Sequence, residues 1–417
     1  MYSCLGGFGC RRVGWIDYPL LQRFERKNQS RGGHWGLVTM LEVLQNKKKT
    51  YTYPTAFSIW GNEEYGAIRR VINSGQFTIG EEVEAFEHEF ASYHGMNYGI
   101  MVNSGSSANL IAAAALANKE DRPIRRGQRA AVPALAWPTT YAPLRQYGLD
   151  LVLMDCDDTW TATIPKMFDI QLVVGVSILG NPAYLAAMKE FARTRSAYFI
   201  EDNCESLGAK TPDGKFCGTY GLMNSFSFFY SHQISAIEGG MILTDDSECA
   251  KLCRMLRNHG WSKDTATCFD NEYDFRLFGY NVRPLEMHAA VARVQLRKLD
   301  EHRKVRQANV KLFREMTKEL PIKHQLLVGE PDPFGLSFIV PTTNLRKRLA
   351  NALREFGIDC RPPTGGSFRK HPYGFKWWNQ RTPNADHIHD CAMFLGNGAV
   401  DLSDKIERAV KVMKENL

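Results

Sequence analysis

The stretch Tyr198–Asp246, YFIEDNCESLGAKTPDGKFCGTYGLMNSFSFFYSHQISAIEGGMILTDD, decides how the rest of the chain is read. It opens with a short apolar run ending in acids (Tyr198–Asp202) and passes through a Gly-punctuated loop. It then reaches a Ser/Phe run of strand character (Ser225–Tyr230) and starts a further apolar run at Glu238-Gly239-Gly240. The order is strand, turn, strand, turn, strand. A carboxylate at the C-terminal edge of a strand is where open α/β sheets place ligand chemistry. An aspartate that merely caps a turn would leave the same letters.

Around this centre the chain alternates strand and helix patterns. Upstream, LDLVLMDCD, LVVGVSILGNP and AYLAAMKEFARTRS, within Leu149–Ile200, read as βαβ units of a mainly parallel sheet. Further upstream, IMVNSGSSANLIAAAALAN reads as a buried strand, a small polar turn and an Ala-rich helix. Gly105, Ser106 and Ser107 would bring unhindered amides to a helix N-terminus, where the dipole and the orphan donors favour a phosphate. A Ser-rich N-cap gives the same pattern. Before that, NEEYGAIRRVINSGQFTIGEEVEAFEHEFASYHG has apolar residues at helical spacing on both sides of Ser74-Gly75, hence two helices around a turn. Downstream, a helix over Leu285–His302 leads into a last segment with the apolar run LSFIVP, a helix around Leu345–Phe356 and the string RPPTGGSF at Arg361–Phe368.

A chain of 417 residues can bury a large core and should divide. The division read here is an N-terminal extension over residues 1–56, a large domain over 57–300 and a small C-terminal domain over 301–417. The extension carries GGFGC and KKK runs, with a partly helical stretch around Trp35–Leu44, and is assigned no chemistry. A net charge of +7 fits an anionic small molecule at least as well as nucleic acid, and no long basic run interleaved with aromatics argues for the latter. The ten cysteines lack any CxxC or CxC pair, which points to reduced thiols in a cytoplasm and to no iron–sulfur cluster. No apolar run reaches the roughly eighteen residues needed to cross a membrane. The DHIHDC run at Asp386–Cys391 looks like a metal cluster, but its ligands fall at mixed spacings on a helix, and no metal is assigned.

Taken together, EDNCESLGA, SFSFF and a polar residue six places before EGG resemble the nucleotide-sugar aminotransferase and dehydratase family of fold type I pyridoxal phosphate (PLP) enzymes. The resemblance starts near Phe57 and runs almost to the C-terminus. It implies an α/β fold with a mainly parallel sheet flanked by helices, plus a smaller C-terminal α+β domain. It also implies that Asp202 keeps the pyridine nitrogen protonated, that Trp137 of VPALAWPTTYAPL stacks on the ring, and that Gly105, Ser106, Glu205 and Ser227 complete the cofactor site. Asn281 of GYNVRPLEM would reach the cofactor phosphate of a second subunit, which makes the protein a homodimer. His259 and Trp261 of LRNHGWSKD, with Arg361, would contact substrate.

The aminotransferases of this family carry a lysine where this chain has His232, six residues before Glu238. A lysine would hold PLP covalently; an imidazole cannot. The substitution, with SGSSAN, HGW and GYNVRPLEM, resembles the 3-dehydratase branch, in which pyridoxamine phosphate (PMP) acts on a nucleotide-linked 4-keto-6-deoxyhexose. An imidazole with a reference pKa of about 6.5 can take a proton and return it to a leaving hydroxyl near neutral pH. The resemblance implies a 3-deoxy sugar as product, PMP regenerated by L-glutamate, and a role in making deoxysugars for lipopolysaccharide O-antigen. The nucleotide, GDP or CDP, stays open, and so do two other readings: an amino-sugar aminotransferase and an inactive PLP-fold scaffold.

Overall fold

A strand buried on both faces needs neighbours at both edges and helices above and below, and Tyr198–Asp202 has them, every residue being buried. The computed structural model describes residues 51–417 apart from 165, 166, 168, 263–268, 270, 271 and 378. The glycine run, the lysine run and the helical stretch read in the N-terminal extension lie outside the described residues.

The first layer contains, in chain order, α1 (Asn62–Ser74), α2 (Glu81–His94), β1 (Tyr98–Val102), α3 (Gly105–Asn118), β2 (Arg129–Pro133), α4 (Pro138–Gln146) and β3 (Asp150–Met154). It continues with β4 (Leu172–Val176), α5 (Leu185–Thr194), β5 (Tyr198–Asp202), β6 (Met223–Ser227), β7 (Gly240–Thr244), α6 (Ser247–Arg257) and α7 (Glu286–Met316). These strands form a seven-stranded sheet in the order β1-β7-β6-β5-β4-β2-β3. β7 is antiparallel to β1 and β6, and the other pairs are parallel. Val176 lies opposite Asp202 in the β4–β5 register, so both strands end at the same edge.

Local chemistry fixes the helix ends. Glu64 turns back to accept from the Gly61 amide at 2.8 Å, and α1 stops at Gly75, whose φ of 71° is left-handed. At the start of α2, the Glu286 carboxylate accepts from the amides of Gly80, Glu82 and Val83 at 2.8–3.0 Å, so the first residue of α7 caps α2. α3 is Ala-rich and packs tightly under β6 and β7, with Ser104 as its N-cap.

The second layer holds β8 (Lys323–His324), β9 (Gly335–Ile339), α8 (Thr343–Glu355), β10 (Cys360–Arg361), α9 (Pro383–Cys391), β11 (Ala392–Gly396) and α10 (Ser403–Asn416). Its four strands are antiparallel in the order β10-β11-β9-β8. α8, α10 and the C-terminal half of α7 cover them, Leu353, Val410 and Phe313 sharing a buried cluster with Phe338 of β9.

Three boundaries differ from the sequence reading. β6 ends at Ser227 rather than at Tyr230, because β7 begins opposite Ser227 and the chain then turns toward His232. α7 runs on from His302 to Met316, across the division placed at residue 300, because Arg306, Asn309, Val310 and Phe313 give its later turns a buried face. Tyr53, assigned to the extension, is buried in the second layer, where its hydroxyl donates to the Gly396 carbonyl at 2.9 Å.

The two layers are joined by a buried ion pair. Arg306 on α7 donates from Nε and Nη2 to the two oxygens of Asp332 at 2.6 and 2.7 Å, with both side chains almost fully buried. The Asp332 carbonyl also accepts from Gln233 Nε2 at 3.0 Å. Asp332→Ala would strand a buried guanidinium and should cost about 3–5 kcal/mol, measurable by urea denaturation. Replacing Arg306 and Asp332 together by apolar residues of similar volume should cost less than the single change.

Candidate active site

β5 carries Asp202 to the C-terminal edge of the sheet, where it is 5% exposed. A carboxylate so buried requires donors. Oδ2 accepts from Thr140 Oγ1 at 2.6 Å and Asn109 Nδ2 at 2.8 Å, and Oδ1 accepts from the Cys204 amide at 3.1 Å. Ser225 on β6 donates to Asn109 Oδ1 at 2.6 Å and so orients the amide. Asn109 and Thr140 escaped the sequence reading. The signal available was an asparagine inside an otherwise Ala-rich buried helix, where an amide has no business unless it has a partner.

Asp202 lies on the wall of a cavity of about 340 Å³ that Gly105, Ser106, Trp137, Glu205, Ser227, His232 and Arg361 also line. The α3 start faces this cavity, and its Gly105 and Ser106 amides have no acceptor within the helix. A Cβ on Gly105 would lie 2.6 Å from Ser227 Cβ and 2.7 Å from Cys204 Sγ, so the helix start approaches β6 this closely only because the residue is glycine. Trp137 precedes α4 and is 55% exposed.

His232 sits against the rings of Phe229 and Phe334, with centroids 5.7 and 5.4 Å away. Desolvation lowers its pKa to about 4, only partly opposed by the Ser227 backbone and the Asp202 charge. The imidazole is therefore neutral at pH 7, and its Nδ1 is buried without a partner. Desolvation acts oppositely on Glu205, pushing its pKa up to about 7, against the Leu179 amide at 2.8 Å and the Thr364 hydroxyl. Among the described residues no lysine lines the cavity.

Three candidate residues do not line this cavity. Asn281 is exposed and bridges to Asn258. His259 Nε2 accepts from Arg283 at 2.9 Å, and Trp261 Nε1 donates to the Glu272 carbonyl at 2.8 Å. The Asp386–Cys391 run lies on α9, where Asp386 accepts from Ser367 and Asp390 pairs with Lys370. Among the described residues no group of three or more His, Cys, Asp or Glu is arranged to hold a metal ion. Among them, too, no helix is long and apolar enough to cross a membrane.

The donor set suits a flat heterocycle with a protonatable nitrogen and a phosphate. A supported carboxylate can meet the nitrogen, an indole can cover the ring, and free amides beside hydroxyls can meet the phosphate. The model of the DegT/DnrJ/EryC1/StrS aminotransferase family matches residues 59–413. The chain belongs to this family. Within the DegT/DnrJ/EryC1/StrS family it is 36% identical over 393 residues to the GDP-4-keto-6-deoxy-D-mannose 3-dehydratase of Yersinia pseudotuberculosis, covering 88% of this chain and 100% of that one. The Escherichia coli enzyme of that name, solved with bound hydrated PLP, superposes with a TM-score of 0.81 at 36% identity, covering 87% of this chain and 100% of that one. A further structure of this enzyme, with a trapped PLP-glutamate geminal diamine, gives 0.82 at 36% identity over the same shares. The fold is thus that of PLP-dependent aminotransferases.

Because the folded-state pKa of Glu205 is raised, the folded protein holds this proton more tightly than the unfolded chain. Its stability contribution is complete below about pH 4.5 and is lost as pH rises through about 7. Glu205→Gln keeps the neutral shape. In cofactor-free protein the variant should match the parent near pH 4.5 and exceed it at pH 8 by on the order of 3 kcal/mol, read from denaturation midpoints at the two pH values. Equal midpoint differences at both would contradict the assignment.

Proposed function

We propose that the chain is a PLP/PMP-dependent 3-dehydratase of a nucleotide-linked 4-keto-6-deoxyhexose. It yields a 3-deoxy sugar for glycan biosynthesis, and L-glutamate recharges the cofactor. GDP-4-keto-6-deoxymannose is the substrate that its relatives' name supplies. The observation that carries the reading is His232: a neutral imidazole stands in a cavity of this family with no lysine among the described residues of its wall.

When bound, the cofactor supplies an electron-accepting pyridine ring and, in its PMP form, an amine able to condense with the sugar ketone. Asp202, aligned by Thr140, Asn109 and the Cys204 amide, would hold the ring nitrogen in its protonated form. Trp137 covers the ring, Gly105, Ser106 and Ser227 receive the phosphate, and Glu205 completes the cofactor's surroundings. His232 accepts a proton on its ring and, as imidazolium, delivers it to the departing hydroxyl of sugar carbon 3. Arg361 meets the substrate from the cavity wall.

Asn281, His259 and Trp261 belong to this scheme through a second copy. Asn281 is exposed on its own subunit, which supports a homodimer in which it reaches the cofactor phosphate held by the other subunit, with His259 and Trp261 beside that subunit's substrate. The cytoplasm is the compartment we assign, since the seven described cysteines are free thiols, six of them buried. Light scattering should give a dimer for the active protein; a fully active monomer would remove this part of the proposal.

His232→Lys is expected to lower dehydration at least about a hundredfold, the lower range for loss of general acid–base help. The variant should gain a cofactor bond that borohydride fixes, visible by mass spectrometry. The assay follows loss of the sugar's 3-hydroxyl and release of ammonia from PMP and the nucleotide sugar. Parental dehydration rates in the lysine variant would show that His232 is not the base. Amino transfer by the unaltered protein would instead favour the aminotransferase reading.

A further inference from the structure

The segment Pro362–Ser367 forms part of the cavity wall without belonging to a helix or strand, and Pro362 and Thr364 face the cavity beside Arg361. Something must hold it. It lies against the chain at Trp137: a Cβ on Gly365 would be 2.6 Å from the Ala136 carbonyl and 3.2 Å from Trp137 Cα. Ser367 bridges to Leu135, and the Phe368 amide donates to the Ala134 carbonyl at 2.7 Å.

From the other side α9 grips the same residues. The Ser367 hydroxyl donates to Asp386 at 2.6 Å, and the Ser367 amide donates to His389 Nδ1 at 3.1 Å. Gly366, with φ of 75°, passes so close that a Cβ would stand 2.3 Å from His389 Nδ1. α9 is itself fixed to the first layer, because Asp155 accepts from the Asn384 and Ala385 amides at 3.2 and 2.9 Å. His371 Nε2 donates to the Gly365 carbonyl at 2.5 Å, a bond that survives protonation of its ring. The bond at His389 does not survive it: Nδ1 must carry a lone pair, and imidazolium would set N–H against N–H.

We propose that His389 and Asp386 are positioning residues for substrate, holding the Pro362–Ser367 wall against Trp137 through Ser367, and that protonation of His389 releases this wall. The proposal rests on the nucleotide-sugar reading for its ligand only. The groups facing His389 are Asp386 and Asp390 on α9, His371 and Lys370 on the adjoining segment, and Arg346 on α8, which donates to the His389 carbonyl at 2.8 Å. Burial, with His371, Arg346 and Lys370, outweighs Asp390 and keeps the ring neutral to below its ordinary range. The wall is therefore closed at pH 7 and opens only when pH falls past the ordinary imidazole range to the lowered pKa of His389.

Two substitutions separate positioning from mere packing. His389→Asn places an amide oxygen where Nδ1 stood and cannot be protonated in this range, whereas His389→Leu removes the acceptor. For the cofactor-loaded enzyme, KM for the nucleotide sugar should rise severalfold in the parent as pH is stepped down from 7.5 to the acid side of the ordinary imidazole range, stay level in His389→Asn, and be raised severalfold throughout in His389→Leu. The pH profile of kcat should be shared by the parent and the asparagine variant. Hydrogen exchange of the Ser367 amide, corrected for intrinsic rate, should accelerate over the same acid steps in the parent and not in His389→Asn. A pH step in KM that persists in His389→Asn, or parental KM and protection in His389→Leu, overturns the proposal. Should the leucine variant not fold, the asparagine variant decides alone. The exchange measurement needs no substrate, so failure of the dehydratase reading and failure of this one remain distinguishable.

Discussion

The site depends on one buried carboxylate. Asp202 cannot be buried at the end of a strand with both faces covered unless donors are held against it, and those donors come from three places: α3 through Asn109, α4 through Thr140, and the turn after β5 through the Cys204 amide. Satisfying this carboxylate sets where two helices lie relative to the sheet edge. The same placement brings the α3 start against Ser227 and carries Trp137 to the mouth of the cavity.

Desolvation then sorts the other titratable groups of the cavity by sign. It disfavours the charged form of each, so His232 is neutral at pH 7 and Glu205 holds its proton close to pH 7. Asp202 beside them is met by three hydrogen-bond donors. These differences follow from burial and partners, not from residue type.

The second layer contributes through its attachment. The Arg306–Asp332 pair joins α7 to the chain entering β9, and the Asp332 carbonyl reaches Gln233, the neighbour of His232. α9 fixes the wall that lies against Trp137 by way of Ser367. Residues far apart in sequence thus set the shape around His232 and Trp137.

Much of this was legible in the chain itself. Tyr198–Asp202 reads as a strand ending in acids because five residues of period and composition suffice to say so, and SGSSAN reads as a helix start because capping is local chemistry. The family pattern, its PLP-type fold and the replacement of lysine by His232 are likewise fixed by order along the chain. What sequence could not decide was which polar residues meet: the Asn109–Asp202 contact spans 93 positions and the Tyr53–Gly396 contact 343. The end of α7 escaped for the same reason, since its later turns look polar and are stabilised only by the layer they cover. Local propensity and order were enough for elements and motifs. Partnership, burial and the protonation states that follow from burial exist only once the layers have closed, because they are properties of the space between elements.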